Sequence, residues 1–247
     1  MTRGRLLLPV VSETRRPQPE QQAPPVQFVR LRYAKRGRAR FASHRDFGRA
    51  LERALRRAGV PMAYSSGFNP HPRISYANAV PTGAASEAEY LELGLAERVE
   101  PMQLASALTS ALPDGFEIVD AREAGEGALA DLLDTSVWRI QVVGVPLEVL
   151  QRAVDSFMAQ ESVVVSRMTK QGMRELDARG AVESLTVVQG GVLELTVRHQ
   201  VPMVRPDDVL NACMGAEPDA TASEPAILTR LAQGRLISGR VVGPLEH

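Results

Sequence analysis

A change of hydrophobic period falls between Val26 and Ala58. Apolar and polar side chains alternate over Val26–Tyr33 (VQFVRLRY), the pattern of a half-buried strand. Lys35-Arg36-Gly37-Arg38 reads as a turn, and Ala39–Phe41 either pairs or leads into a helix. From Ser43 onward Phe47, Ala50, Leu51, Ala54, Leu55 and Ala58 recur on one helical face. Ser43 stands where an N-cap should, Asp46 follows three residues later, and Gly59 with Pro61 closes the segment.

Strands are then expected at Pro61–Tyr64, Ile74–Ala79 and Glu89–Leu95, a helix at Pro101–Leu112 stopped by Pro113-Asp114-Gly115, and a strand at Phe116–Arg122. This order, β-α-β-β-α-β, is the split βαβ of the ferredoxin-like fold. Past GEGALADLLD, read as a linker with a short helical turn, the order recurs with strand Val137–Val143, helix Leu147–Gln160, strand Ser162–Thr169, strand Gly191–His199, short helix Asp207–Met214 and strand Ile227–Leu236. Gly172–Asp177 and Val182–Val188 read as irregular. The expectation is an α+β protein of two tandem ferredoxin-like domains. Residues 1–25 form a Pro-rich disordered tail, 26–124 a basic domain, 125–136 the linker and 137–247 an acidic domain.

Charge separates the halves. Lys+Arg and Asp+Glu are equal at 29 each, yet residues 1–80 hold 16 basic and only 4 acidic side chains. That asymmetry suits a polyanion or acidic partner facing the first half, or a first half neutralised by the second. The single cysteine, Cys213, excludes an internal disulfide, a CxxC zinc site and a self-contained iron–sulfur cluster. Neither a metal nor a cofactor is expected. The apolar patch in MTRGRLLLPVV is too short for a secretory h-region, and no apolar run approaches a membrane span. The expectation is a soluble, cytoplasmic protein with no membrane partner.

Unusual residues concentrate between Ala42 and Pro81. Arg45, Arg49, Arg53 and Arg56 form a stripe beside the apolar helix face, and Ser43 and His44 stand at the helix start, where N–H groups favour an anion. Tyr64, Phe68 and Tyr76 lie close in sequence to Arg73; aromatic rings interleaved with arginines suit single-stranded RNA through stacking and phosphate neutralisation. As plain packing, Phe68 and Tyr76 would fill an aromatic-poor core. The loop Ser65, Ser66, Gly67, Phe68, Asn69, Pro70, His71, Pro72 is stiffened by its two X-Pro steps. His44 and His71 are the one candidate acid–base pair, for RNA cleavage through the 2′-hydroxyl. Walker, GxGxxG, HExxH and GxSxG motifs are absent. Glu87/Glu89 read as solvent-facing strand positions, Asp207-Asp208 as helix capping, and Cys213 as buried rather than nucleophilic.

FASHRD, LERALRRAGVPMAYSSGFNPHPRISYA, the following PTG and the EY of AEYLEL resemble the radical-SAM-associated proteins of uncharacterised function. These occur as a domain fused to a B12-binding radical SAM protein or as a separate chain encoded beside one. RELDAR and VRPDDVL are similar to the family's later motifs, so the resemblance covers residues 26–236. The positions that match are Ser43, His44, Asp46, Arg49, Glu52, Arg53, Tyr64, Ser65, Gly67, Phe68, Asn69, Pro70, Glu89 and Tyr90. The resemblance implies a radical SAM protein as partner, with the radical chemistry on that other polypeptide.

The family's tandem arrangement is also similar to CRISPR repeat-processing endoribonucleases. AQGRLISGRVVG departs from the Gly-rich loop that ends those relatives.

Three functions follow in order: a non-catalytic accessory protein that binds tRNA or rRNA, not DNA, and presents it to a radical SAM enzyme; a protein-interaction module without nucleic acid; and a metal-independent endoribonuclease using His44.

Overall fold

The computed structural model describes residues 21–169 and 172–246. The first half runs β1 (Gln27–Lys35), α1 (His44–Arg57), β2 (Ile74–Ala77), β3 (Ala85–Leu95), α2 (Pro101–Ala111) and β4 (Phe116–Glu123). The second half runs β5 (Thr135–Gln141), α3 (Leu147–Met158), β6 (Val164–Thr169), β7 (Gly172–Asp177), β8 (Val182–Val188), β9 (Val192–Arg198), α4 (Pro206–Gly215), β10 (Ile227–Ile237) and β11 (Arg240–Val242). Among the described residues the fold is mixed α+β, with four helices and a nine-stranded, mostly antiparallel sheet.

Strand order in that sheet is β4-β1-β3-β10-β5-β9-β8, with β2 also on β3 and β11 on β10. Within each half the neighbours are antiparallel. The halves meet in one short parallel pairing, Thr229 with Ala85 and Arg230 with Ser86. Each half has its own core. Val29, Leu31, Leu91 and Leu93 lie beneath Phe47, Leu51 and Leu108 in the first, and Ile140, Leu193 and Leu195 beneath Leu150, Phe157 and Val209 in the second.

Helix α1 forms where the pattern places it, and both ends are closed by its own sequence. Ser43 Oγ accepts the Asp46 N–H at 3.2 Å while the Asp46 carboxylate accepts the Ser43 N–H at 3.1 Å, a reciprocal capping box. At the other end Gly59 (φ +64°) donates to Arg56 O at 3.2 Å and Val60 to Leu55 O at 3.0 Å, the Schellman pattern that needs a left-handed residue. Phe47, Ala50, Leu51, Ala54 and Leu55 are buried, and Tyr33 stacks on Phe47 with ring centroids 4.1 Å apart.

Three expectations are corrected. Pro61–Tyr64 is no strand, holding only isolated bridges from Met62 to Leu95 and Tyr64 to Pro72. Gly172–Asp177 and Val182–Val188 are strands. The first pairs only with β6 and buries little, so it shows no alternation; the second carries a register shift between Val182 and Ser184 that breaks its period. The short helical turn expected in the linker is present as a 3-10 turn at Leu129–Leu132, and its buried Leu129, with Leu133, joins Tyr90 and Leu245 in a small core. Finally, Glu89 does not face solvent.

Glu89 forms a buried ion pair with Arg230 and accepts the Val80 N–H at 3.0 Å. Arg230 also donates to Asn78 O at 2.8 Å and lies over the Trp138 ring, 5.6 Å from its centroid. Gln233, fully buried, donates to Ala88 O at 2.7 Å. The parallel joint is thus held by side chains more than by its two backbone pairs. At the end of the sheet Gly234 has no Cβ where the Val242 carbonyl lies, which lets the chain fold back as β11.

Candidate nucleic-acid interface

The arginines beside the apolar face of α1 are open. Arg45, Arg49, Arg53 and Arg56 are exposed, and among the described residues Arg45, Arg49 and Arg53 form no ion pair. Basic residues on the sheet behave differently: Arg30 pairs with Glu92 at 2.8 Å, and Arg36 pairs with Glu87 at 2.5 Å and with Glu117. Those acids belong to the first half itself. The second half places no acid on the α1 stripe among the described residues.

Beside the last turns of α1 lies a hairpin-like loop. Ser65 N donates to His71 O at 2.9 Å, His71 N donates to Ser65 Oγ at 3.0 Å, and Arg73 Nε donates to Tyr64 O at 3.3 Å. These bonds close the segment around Gly67, whose φ is +134°. Asn69, Pro70, His71 and Arg73 are exposed. Tyr64 is 41% exposed and Phe68 72%. The packing reading of Phe68 is therefore overturned, since its ring projects from a turn with nothing above it. Tyr76 does pack on the first core, and burial, then the Glu52 carboxylate, push its phenol up to about 12.

Between α1 and the loop runs a groove of about 230 Å³ lined by Glu52, Leu55, Arg56, Val60, Met62, Tyr64, Pro70, His71 and Pro72. The Schellman contact places Leu55 and Val60 in its floor. At the opposite end of α1, Phe41 is 59% exposed with the Arg40 guanidinium 4.6 Å from its ring centroid. An aromatic ring thus stands at each end of an arginine-faced helix about 20 Å long.

The helix start is less open than its sequence suggests. Ser43 Oγ donates to Asp46 Oδ2 at 2.7 Å besides accepting the Asp46 N–H, so its hydroxyl is used in the cap. The Asp46 carboxylate occupies the place where an anion would sit, held below its ordinary pKa by the Ser43 hydroxyl and N–H. His44 is exposed, its ring edge-on to Tyr76 at 4.6 Å. His71 lines the groove by the last turns of the helix, so the two histidines are not brought together.

No local sequence pattern marks the polar cluster at the joint. His199 Nδ1 lies 2.7 Å from Leu133 O and therefore carries the ring proton. Nε2 accepts from the Ser136 hydroxyl at 3.0 Å, which accepts the Trp138 indole N–H at 2.8 Å. Burial, and secondarily the Arg230 charge, hold His199 below its usual pKa despite the Leu133 contact. Every member of this relay is satisfied internally, which suits a structural joint. Cys213 is buried, its thiol pushed up to about 12 by burial, as befits a packing residue. Among the described residues no group of three or more His, Cys, Asp or Glu side chains could hold a metal, and no helix is long and apolar enough to cross a membrane.

Fold and face together define an α+β protein with one large, mostly antiparallel sheet and an open basic helix on its first half. The chain belongs to the family of uncharacterized proteins conserved in bacteria (DUF2344), whose profile matches residues 29–206. No curated protein matches it. Among solved structures it is similar to an unknown protein from Galdieria sulphuraria at 17% identity and a TM-score of 0.25, over 83% of this chain and 98% of that one.

Proposed function

We propose that this protein binds RNA, tRNA or rRNA, along α1 and the Tyr64–Pro72 loop, and supports a separate radical SAM enzyme acting on that RNA. The observation that carries the reading is the stripe Arg45, Arg49 and Arg53, open and without ion partners among the described residues, beside exposed Tyr64 and Phe68. Unpaired guanidiniums suit phosphates, and rings standing clear of the surface suit unstacked bases. The radical SAM partner rests on the motif resemblance alone. In this reading each half is a ferredoxin-like unit, and the recurrence of a fourth-first-third-second strand order, β4-β1-β3-β2 and β10-β5-β9-β8, supports it.

The test is fluorescence anisotropy of the full chain with labelled bulk tRNA across a salt series. Arg49→Ala with Arg53→Ala should weaken binding about tenfold at low salt and reduce the salt slope by about 2. Arg152→Ala on α3 should change neither. Equal binding and slope in wild type and the α1 double variant would sink the proposal.

A further inference from the structure

The exposed side of α1 is cationic with one exception past its cap. Glu52 stands among Arg45, Arg49, Arg53, Arg56 and Arg57, and its side chain opens into the groove beside Tyr64. The Arg56 guanidinium is 3.9 Å away, beyond hydrogen-bond reach and itself largely exposed. Among the described residues no donor hydrogen-bonds the Glu52 carboxylate.

A carboxylate in this place repels phosphate, so it does not serve the electrostatic role of its neighbours. It is suited to a ligand that presents N–H donors. Below it Leu55, Val60 and Met62 make an apolar floor, Tyr64 offers a partly exposed ring, and Pro70 and Pro72 form a stiff wall. That combination of a flat apolar slot, one aromatic face and one anionic acceptor matches the edge and face of a single unstacked base. Of the four RNA bases only guanine presents two adjacent donors, N1–H and the N2 amino group, to one carboxylate. Adenine and cytosine offer a single amino group beside an acceptor that would face the second carboxylate oxygen, and uracil a single N–H between two acceptors.

We infer that the groove between α1 and the Tyr64–Pro72 loop is a guanine site, with Glu52 accepting from the Watson–Crick edge and Tyr64 stacking on the ring. This deepens the RNA-binding reading and rests on it. Arg45, Arg49 and Arg53 set affinity, while Glu52 sets which nucleotide enters the groove.

The experiment compares labelled single-stranded decamers by anisotropy with the full chain: all-adenosine, and the same oligomer with one central guanosine, inosine or 7-deazaguanosine. Wild type should bind the guanosine oligomer about tenfold more tightly than all-adenosine, keep that gain with 7-deazaguanosine, whose Watson–Crick edge is intact, and lose most of it with inosine, which lacks the amino group. Glu52→Gln should remove the guanosine preference while leaving all-adenosine binding equal or tighter, because a negative charge has gone. Circular dichroism should show both proteins equally folded, since Glu52 is a surface residue.

Decamers bound alike whatever their central base would overturn the guanine site and leave the arginine stripe standing. A preference that survives Glu52→Gln would also overturn it. Failure of every decamer and of bulk tRNA to bind would remove the RNA reading itself.

Discussion

Helices α1 and α3 hold the same place in the two halves: each follows the first strand of its half and covers the core beneath it. Their buried faces are alike, but their outer faces are not. On α3 the single arginine, Arg152, pairs with Glu217 at 3.4 Å, Gln151 donates to Asp155 at 2.9 Å, and Glu148 adds a negative charge in the first turn. On α1 five arginines face outward, and among the described residues only Arg56 lies within ion-pair distance of a carboxylate. Packing dictates where both helices lie and says nothing about the charge of the outward face. That face is where function can be written onto a shared scaffold. The RNA-binding proposal rests on that difference.

The largest effect expected of a single substitution comes from cutting the joint that puts both helices on one sheet. Glu89→Ala leaves Arg230 buried without its carboxylate and should cost about 3–5 kcal/mol in urea unfolding. Replacing Glu89 and Arg230 together with leucine should cost less than either single change. If Glu89→Ala unfolds like wild type, the halves are independent and the comparison loses its common frame.

A smaller effect separates the helix starts. Ser43→Ala removes the α1 cap and should cost about 1 kcal/mol, whereas α3 has no side-chain cap to lose. Because the folded pKa of Asp46 is depressed, the stability it contributes is complete above the unfolded aspartate value, about 3.9, and is lost as pH falls through the lower folded value. Asp46→Asn should flatten that acid limb.

The smallest effect is a slope and lies at the joint. His199 is held neutral, so its folded pKa is below the unfolded value of about 6.5; its contribution is complete above that pH and declines as pH falls below it. Melting temperature between pH 7 and pH 5 should fall in wild type and fall less in His199→Gln. Identical slopes would show that the relay through Ser136 and Trp138 does not depend on a neutral imidazole.

Much of the first half was legible because its signals are local. Ser43, Asp46 and Gly59 mark both ends of α1 within one stretch of chain, and a 3.6-residue period runs between them. The Arg stripe and the aromatic loop were legible as composition, although whether they were open was not. What escaped detection depends on distant chain. Glu89 looks like an outward strand residue until Arg230 arrives across the sheet. Leu129 and Leu133 look like linker residues until Leu245 covers them. In β7 a self-paired hairpin has no core to impose alternation. Glu52 was visible only as one position of the motif, and the groove it lines exists only once the loop folds back beside α1.

The joint between β3 and β10 also places a constraint in time. Arg230 lies 141 residues after Glu89, and at cellular elongation rates that is on the order of ten seconds of translation. For that interval the growing chain carries an acid bound for its interior with no cation to meet it, and the Ala85–Ser86 end of β3 lacks its β10 partner. Until β10 arrives, that strand end stays open to pairing with another chain. Helix α1 can form early, but the platform that holds it is completed only when nearly all of the chain has been made.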